Sequence, residues 1–148
     1  MRGLLVPHYF FVYLWRMVIE DIEDYVSFET AKLLKEKGFD KPCNNRYYET
    51  HSGFDLGLDP GYTNSHWEDW YKDMGVRNYS APTLQMAMKW LLEMHHLLIT
   101  TFSSSQESWM YRITKPHQKL EDGVYGEDYE TREMAREAAI KYCLENLI

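Results

Sequence analysis

Along residues 80–148 the apolar and polar positions change period three times, spelling helix, strand, strand, helix. Leu84, Ala87, Met88, Leu91 and Met94 recur at helical spacing across Ala81–His95. Ser80 stands as the N-cap of that helix, and Pro82 falls in its first turn, where a missing N–H costs little. Met86 and Trp90 make a second apolar stripe, so this helix is expected to be the central one, buried on more than one side. Leu97–Phe102 and Trp109–Thr114 follow as strands. In the second, alternation puts Trp109, Tyr111 and Ile113 on one face and Met110, Arg112 and Thr114 on the other. Ser103–Ser108 reads as the hairpin loop between them. Lys115–Asp128 is polar, contains Pro116, Gly123 and Gly126, and reads as a surface loop. The last helix starts near Thr131 and buries Ala135, Ala138, Ala139, Tyr142, Cys143 and Leu147.

The preceding half follows the same logic less regularly. Ser27 can cap a helix running to about Lys37, with Phe28, Ala31 and Leu34 as its stripe. Gly38 then fits the left-handed position after the helix, and Phe39 can fold back on Leu34. Arg46–Thr50 is a strand, Ser52-Gly53 a turn and Phe54–Leu58 a short return strand. Residues 59–79 show no clear period and begin with a turn signal, Asp59-Pro60-Gly61. A stretch this long without structure of its own is uncommon unless it binds something or moves. It carries Tyr62, His66, Trp67, Trp70, Tyr71 and Tyr79, which either fold back as a satellite core or form an aromatic contact surface.

These elements predict an α+β domain, with three helices packed on a small antiparallel sheet of three to five strands in the order α-β-β-loop-α-β-β-α. Residues 1–16 do not fit that plan. Gly3–Trp15 has no charged residue and no polar face, yet it is shorter than the ~20 residues a membrane-spanning helix needs. It reads as a docked element, as a membrane-surface anchor, or as an extension upstream of a start at Met17, and the last reading is favoured. The domain is then 17–148, with no transmembrane segment.

Charge narrows the partners. The chain has a net charge of −7, whereas a general nucleic-acid binder needs clustered Lys and Arg to displace phosphate counterions. Lys115, His117 and Lys119 make only a small basic patch. Two cysteines, Cys43 and Cys143, are far apart in sequence, which argues against a disulfide framework or a structural zinc site and fits a reducing cytoplasm.

Motifs for chemistry are sparse. His95 and His96 are adjacent and point apart on a helix, so they make no i,i+4 metal pair. His66-Trp67-Glu68 has the H-x-E of zinc deaminases without the P-C-x-x-C that must follow it. Asp55, Asp59, Glu68, Asp69 and Asp73 crowd one region, but their spacing matches no calcium loop. Cys143 lies on an apolar helix face, while Cys43, near a turn, becomes a reactive thiol if a histidine approaches it. No catalytic residue, metal or cofactor is assigned.

Three segments, SFETAKLLKEKGFDKPC (Ser27–Cys43), YSAPTLQMAMKWLLEMH (Tyr79–His95) and YETREMAREAAIKYCLENLI (Tyr129–Ile148), resemble an uncharacterised group of short proteins common in phages and integrated prophages of gut Bacteroidales. The resemblance implies a mobile-element setting in the cytoplasm of a bacterial host and a start near Met17. It implies no activity and no site residues. The expected function is a non-catalytic module that binds another protein, a host or phage factor, through Tyr62, His66, Trp67, Trp70, Tyr71 and Tyr79. A single-stranded nucleic-acid accessory role is the alternative, and a small hydrolase or metal-dependent enzyme built around His66 ranks below both.

Overall fold

Helix α1 spans Phe28–Glu36 and is specified at both ends. The Ser27 hydroxyl accepts the Thr30 N–H. At the other end Gly38, at φ 88°, turns the chain. Phe39 N–H then bonds Leu34 C=O at 2.8 Å and Gly38 N–H bonds Lys35 C=O at 3.1 Å. Those paired bonds are the glycine-terminated helix stop that the sequence announces. The computed structural model describes residues 24–148, except 60, 73, 105 and 106 and the side chains of Trp70 and Tyr71. Segment 1–16 and the start at Met17 lie outside the described residues.

After α1 come β1 (Asn45–Thr50), β2 (Gly53–Leu58), α2 (Asn64–Tyr71), β3 (Asn78–Ser80), α3 (Leu84–His95), β4 (Leu98–Ser103) and β5 (Trp109–Thr114). A single 3₁₀ turn at Leu120–Asp122, β6 (Val124–Tyr129) and α4 (Arg132–Asn146) complete the chain. The fold is α+β. Its strands form two three-stranded antiparallel sheets, ordered β2-β1-β3 and β4-β5-β6, where the sequence suggested one.

Four other expectations need correction. The irregular stretch 59–79 contains α2 and β3. Thr63 caps α2 by accepting the His66 N–H, and Asp40 adds a second cap from outside the helix, accepting from Ser65 N–H at 2.8 Å and Ser65 Oγ at 2.7 Å. The loop expected at Lys115–Asp128 ends in β6, because Tyr111 of β5 lies directly opposite Gly126 and covers it. A Cβ at Gly126 would stand 2.1 Å from the Tyr111 ring, so only glycine permits this pairing. Tyr48 of β1 reaches diagonally over Gly57 of β2, where a Cβ would stand 2.7 Å from its ring.

The cap of α3 is Thr83, whose hydroxyl accepts the Met86 N–H. Ser80 belongs to β3, with its N–H held by Asn64 Oδ1 at 2.9 Å. Finally, α3 is not the central helix. It buries Leu84, Ala87, Trp90 and Leu91 but leaves Met94 60 % exposed. The hub is α4, which packs on β4, β5, β6, α1 and α3. Ala135 and Ala139, both fully buried, let it approach closely.

The main core gathers Leu34, Phe39, Leu91, Ile113, Ile140 and Leu144 between these helices and the second sheet. Each such side chain contributes about 1.5–3 kcal/mol by leaving water. From α4, Glu137 reaches across to α1, accepting from Ser27 N–H at 3.1 Å, Ser27 Oγ at 2.5 Å and Thr30 Oγ1 at 2.6 Å. A carboxylate here satisfies orphan donors of α1 and complements its dipole.

Candidate functional site

The described aromatic side chains of 59–79 divide between the two faces of the first sheet. Asp59 organises one group. Its Oδ1 accepts from Gly61 N–H at 3.0 Å and Tyr62 N–H at 2.8 Å, closing the turn. Its Oδ2 accepts from Trp67 Nε1 at 2.9 Å. Trp67 is 5 % exposed and Asp59 6 %. The Arg46 guanidinium from β1 lies 4.4 Å from the Trp67 ring centre. Tyr62 stacks on His66 with ring centres 3.9 Å apart and meets Trp67 edge-on at 5.2 Å. Tyr62, His66 and Trp67 thus form one packed unit under β1.

Tyr79 sits elsewhere, against α1, with Phe28 at 5.5 Å and Phe54 at 5.7 Å, both edge-on. The side chains of Trp70 and Tyr71 lie outside those described. Of the six residues singled out in the sequence, the four whose side chains are described do not share one surface, and Trp67 turns inward.

The chemical candidates resolve in the same direction. Cys43 is buried, and burial together with the nearby Asp59 pushes its thiol up to about 12, far from a reactive thiolate. Burial likewise pushes Cys143 up to about 12. Among the described residues, no three His, Cys, Asp or Glu side chains converge as a metal site, and no helix is long and apolar enough to cross a membrane. A cleft of about 420 Å³ beside α2 is lined by Lys35, Glu68, Asp69, Lys72, Arg77 and Asn78, among others. Protein groups already engage two of its cations. Lys35 donates to Asn78 C=O at 3.2 Å and faces Glu68 at 3.3 Å. Arg77 pairs with Glu49 at 2.7 Å.

Among the described residues, a different surface is left unengaged. Phe54, Leu56 and Leu58 share one face of β2. Phe54 is covered by Phe28, stacked at 4.2 Å. Leu56 is 43 % exposed and Leu58 85 % exposed. Gly57 and Asp55 occupy the opposite face, Asp55 exposed. Because β1 lies between β2 and β3, β2 is an edge strand. The alternation of Phe54–Leu58 is legible in the sequence. Its edge position is not, since strand order depends on β3, a three-residue strand with no period to read.

Compared with protein-family models, curated proteins and solved structures, the chain matches none.

Proposed function

We propose that this protein is a non-catalytic protein-binding module, a small accessory protein of a phage or mobile element working in the bacterial cytoplasm. The observation that carries the reading is the edge strand β2, with Leu56 and Leu58 adjacent and open to solvent. Adjacent exposed leucines on an unpaired edge favour association over solubility, and proteins ordinarily blunt such edges with Lys, Pro or a bulge. Here β2 has none of these and carries a single charge, Asp55. At the β6 edge, by contrast, the strand carries Glu127 and Asp128, and its pairing with β5 is broken by a register shift between Trp109 and Tyr111. A protein partner fits better than nucleic acid, because Arg46 and Arg77 are engaged by Trp67 and Glu49 and the chain is acidic overall. The mobile-element setting is supported by the resemblance of the three helical segments.

The test is photocrosslinking in the bacterial host, with a benzophenone side chain placed at Leu58 or, as control, at the exposed Leu120. A discrete protein adduct from position 58 and none from position 120 is expected. Equal or absent adducts at both positions would remove β2 as the contact surface.

A further inference from the structure

The hydrogen bonds around β1 determine which backbone groups of β2 face outward. Ala81 N–H bonds Asn45 C=O at 2.9 Å, and Glu49 N–H bonds Arg77 C=O at 3.1 Å. Asn45, Tyr47 and Glu49 therefore direct their backbone groups toward β3, since in an antiparallel ladder successive residues bond to opposite sides. Arg46, Tyr48 and Thr50 are left for β2, where their partners are Gly57, Asp55 and Gly53. Asp59 N–H bonding Asn44 C=O at 2.8 Å continues the same parity. Hence Phe54, Leu56 and Leu58 point their N–H and C=O groups away from the sheet, along the free edge.

The opposite edge of this sheet shows how the chain treats such groups when it closes them. On β3, the outward C=O of Asn78 accepts from Lys35 Nζ and the outward N–H of Ser80 donates to Asn64 Oδ1. Among the described residues, nothing comparable engages Phe54, Leu56 or Leu58 on β2. Among the described residues, the sheet is sealed on one side and open on the other.

We propose that the partner pairs with β2 by strand addition, as an extended segment of another protein whose residues alternate between apolar and basic. The inference rests on the protein-binding reading and specifies its partner. Strand addition supplies affinity through main-chain bonds and selectivity through alternate side chains. Apolar residues of the incoming strand stand beside Leu56 and Leu58 on the α1 face. The intervening residues share the opposite face with Asp55, the one charged residue of β2, and with Gly57 under the Tyr48 ring. Asp55 and the net charge of −7 select cations at those positions.

The experiment uses the full chain and a hexapeptide of alternating Val and Lys, read by amide hydrogen exchange and by titration. In the free protein the Leu56 and Leu58 amides are expected to exchange freely, while those of Asp55 and Gly57 are protected. The peptide should then protect Leu56 and Leu58. Two versions, N-methylated at either the Val or the Lys amides, should differ by more than about tenfold in affinity, because an added strand uses only every second amide. Leu56→Thr with Leu58→Thr should weaken binding by a similar factor with only a small loss of thermal stability, since Leu58 is almost fully exposed and Leu56 is about half covered. Equal binding of the two methylated peptides overturns the proposal. So does protection of the Leu56 and Leu58 amides before any peptide is added, which would mean that a second copy or the chain's own apolar N-terminal segment fills the edge. If the peptide fails while the position-58 crosslink persists, strand addition is wrong and the protein-binding reading stands; if both fail, both are overturned.

Discussion

Replacing Trp67 by Phe separates a structural role for the aromatic segment from a contact role. The substitution keeps a six-membered ring but removes the pyrrole part of the buried indole, and with it the Nε1–H bonded to Asp59 Oδ2 at 2.9 Å, so the lost packing adds to the cost of the lost bond. Both residues are almost fully buried. The Asp59 turn survives through Oδ1, which keeps the Gly61 and Tyr62 N–H groups, but Oδ2 loses a donor inside the protein. Loss of a hydrogen bond to a buried charged acceptor costs about 2–3 kcal/mol. The Arg46 guanidinium stays over a weaker ring, adding about 0.5 kcal/mol. For a chain of this size each kcal/mol lowers Tm by about 2–4 °C, so a drop of roughly 5–14 °C or more is expected. Urea titration and thermal melting of Trp67→Phe measure it directly, with the position-58 crosslink as a parallel readout that should remain. A midpoint within about 0.5 kcal/mol of the wild type refutes the buried-network account. Loss of the crosslink at unchanged stability would return Trp67 to a contact surface.

Three further outcomes are expected. Gly126→Ala should destabilise by about 1–3 kcal/mol in urea titration, because the new methyl meets the buried Tyr111 ring; Gly57→Ala should cost less, since the half-buried Tyr48 ring can swing outward. Glu137→Ala should lower stability by about 1–2 kcal/mol, with Glu137→Gln recovering part of it by keeping an acceptor for Ser27 and Thr30; equal loss in both variants would contradict the capping role. Burial pushes the Asp40 carboxyl up, but the Ser65 N–H and hydroxyl, with Thr63 and Asn64, outweigh it and hold the group below its ordinary value. A lowered carboxylate contributes stability above its unfolded pKa of about 3.9 and loses it as pH falls through the folded value. Wild type and Asp40→Asn should therefore differ at pH 6 and converge in acid, as followed by melting across pH 2–7 (about the range these carboxylates titrate over).

What could be read from the sequence was what neighbouring residues decide among themselves. The Gly38 helix stop, the Thr131 cap and the alternation of Trp109–Thr114 depend on a few adjacent side chains, and each has its expected form. The misses depend on distant partners. Helix α2 is eight residues long and draws its second cap from Asp40, before β1. Val124–Tyr129 contains a glycine and two acids and becomes a strand only because Tyr111 roofs Gly126. Ser80 and Thr83 both suit a helix start before Leu84, and the choice was made by Asn64, which ties Ser80 into β3. The aromatic residues stood out by type, yet Trp67 is committed to Asp59. The exposed leucines of β2 carry no such flag, and only strand order brings them forward.

The carboxylate that caps α1 arrives late. Ser27 and Glu137 are separated by 110 residues, and the helix bearing Glu137 is also the one on which both α3 and the second sheet rest. At roughly 5–20 residues per second, a ribosome leaves α1 without that partner for about 5–20 s. Until then the emerging chain has its first helix and first sheet with Leu56 and Leu58 uncovered and no hub to fold upon. The nascent protein is thus held to a late, all-at-once closure, slow by its long-range contacts. During that interval, the strand proposed to receive a partner is equally open to a holding chaperone.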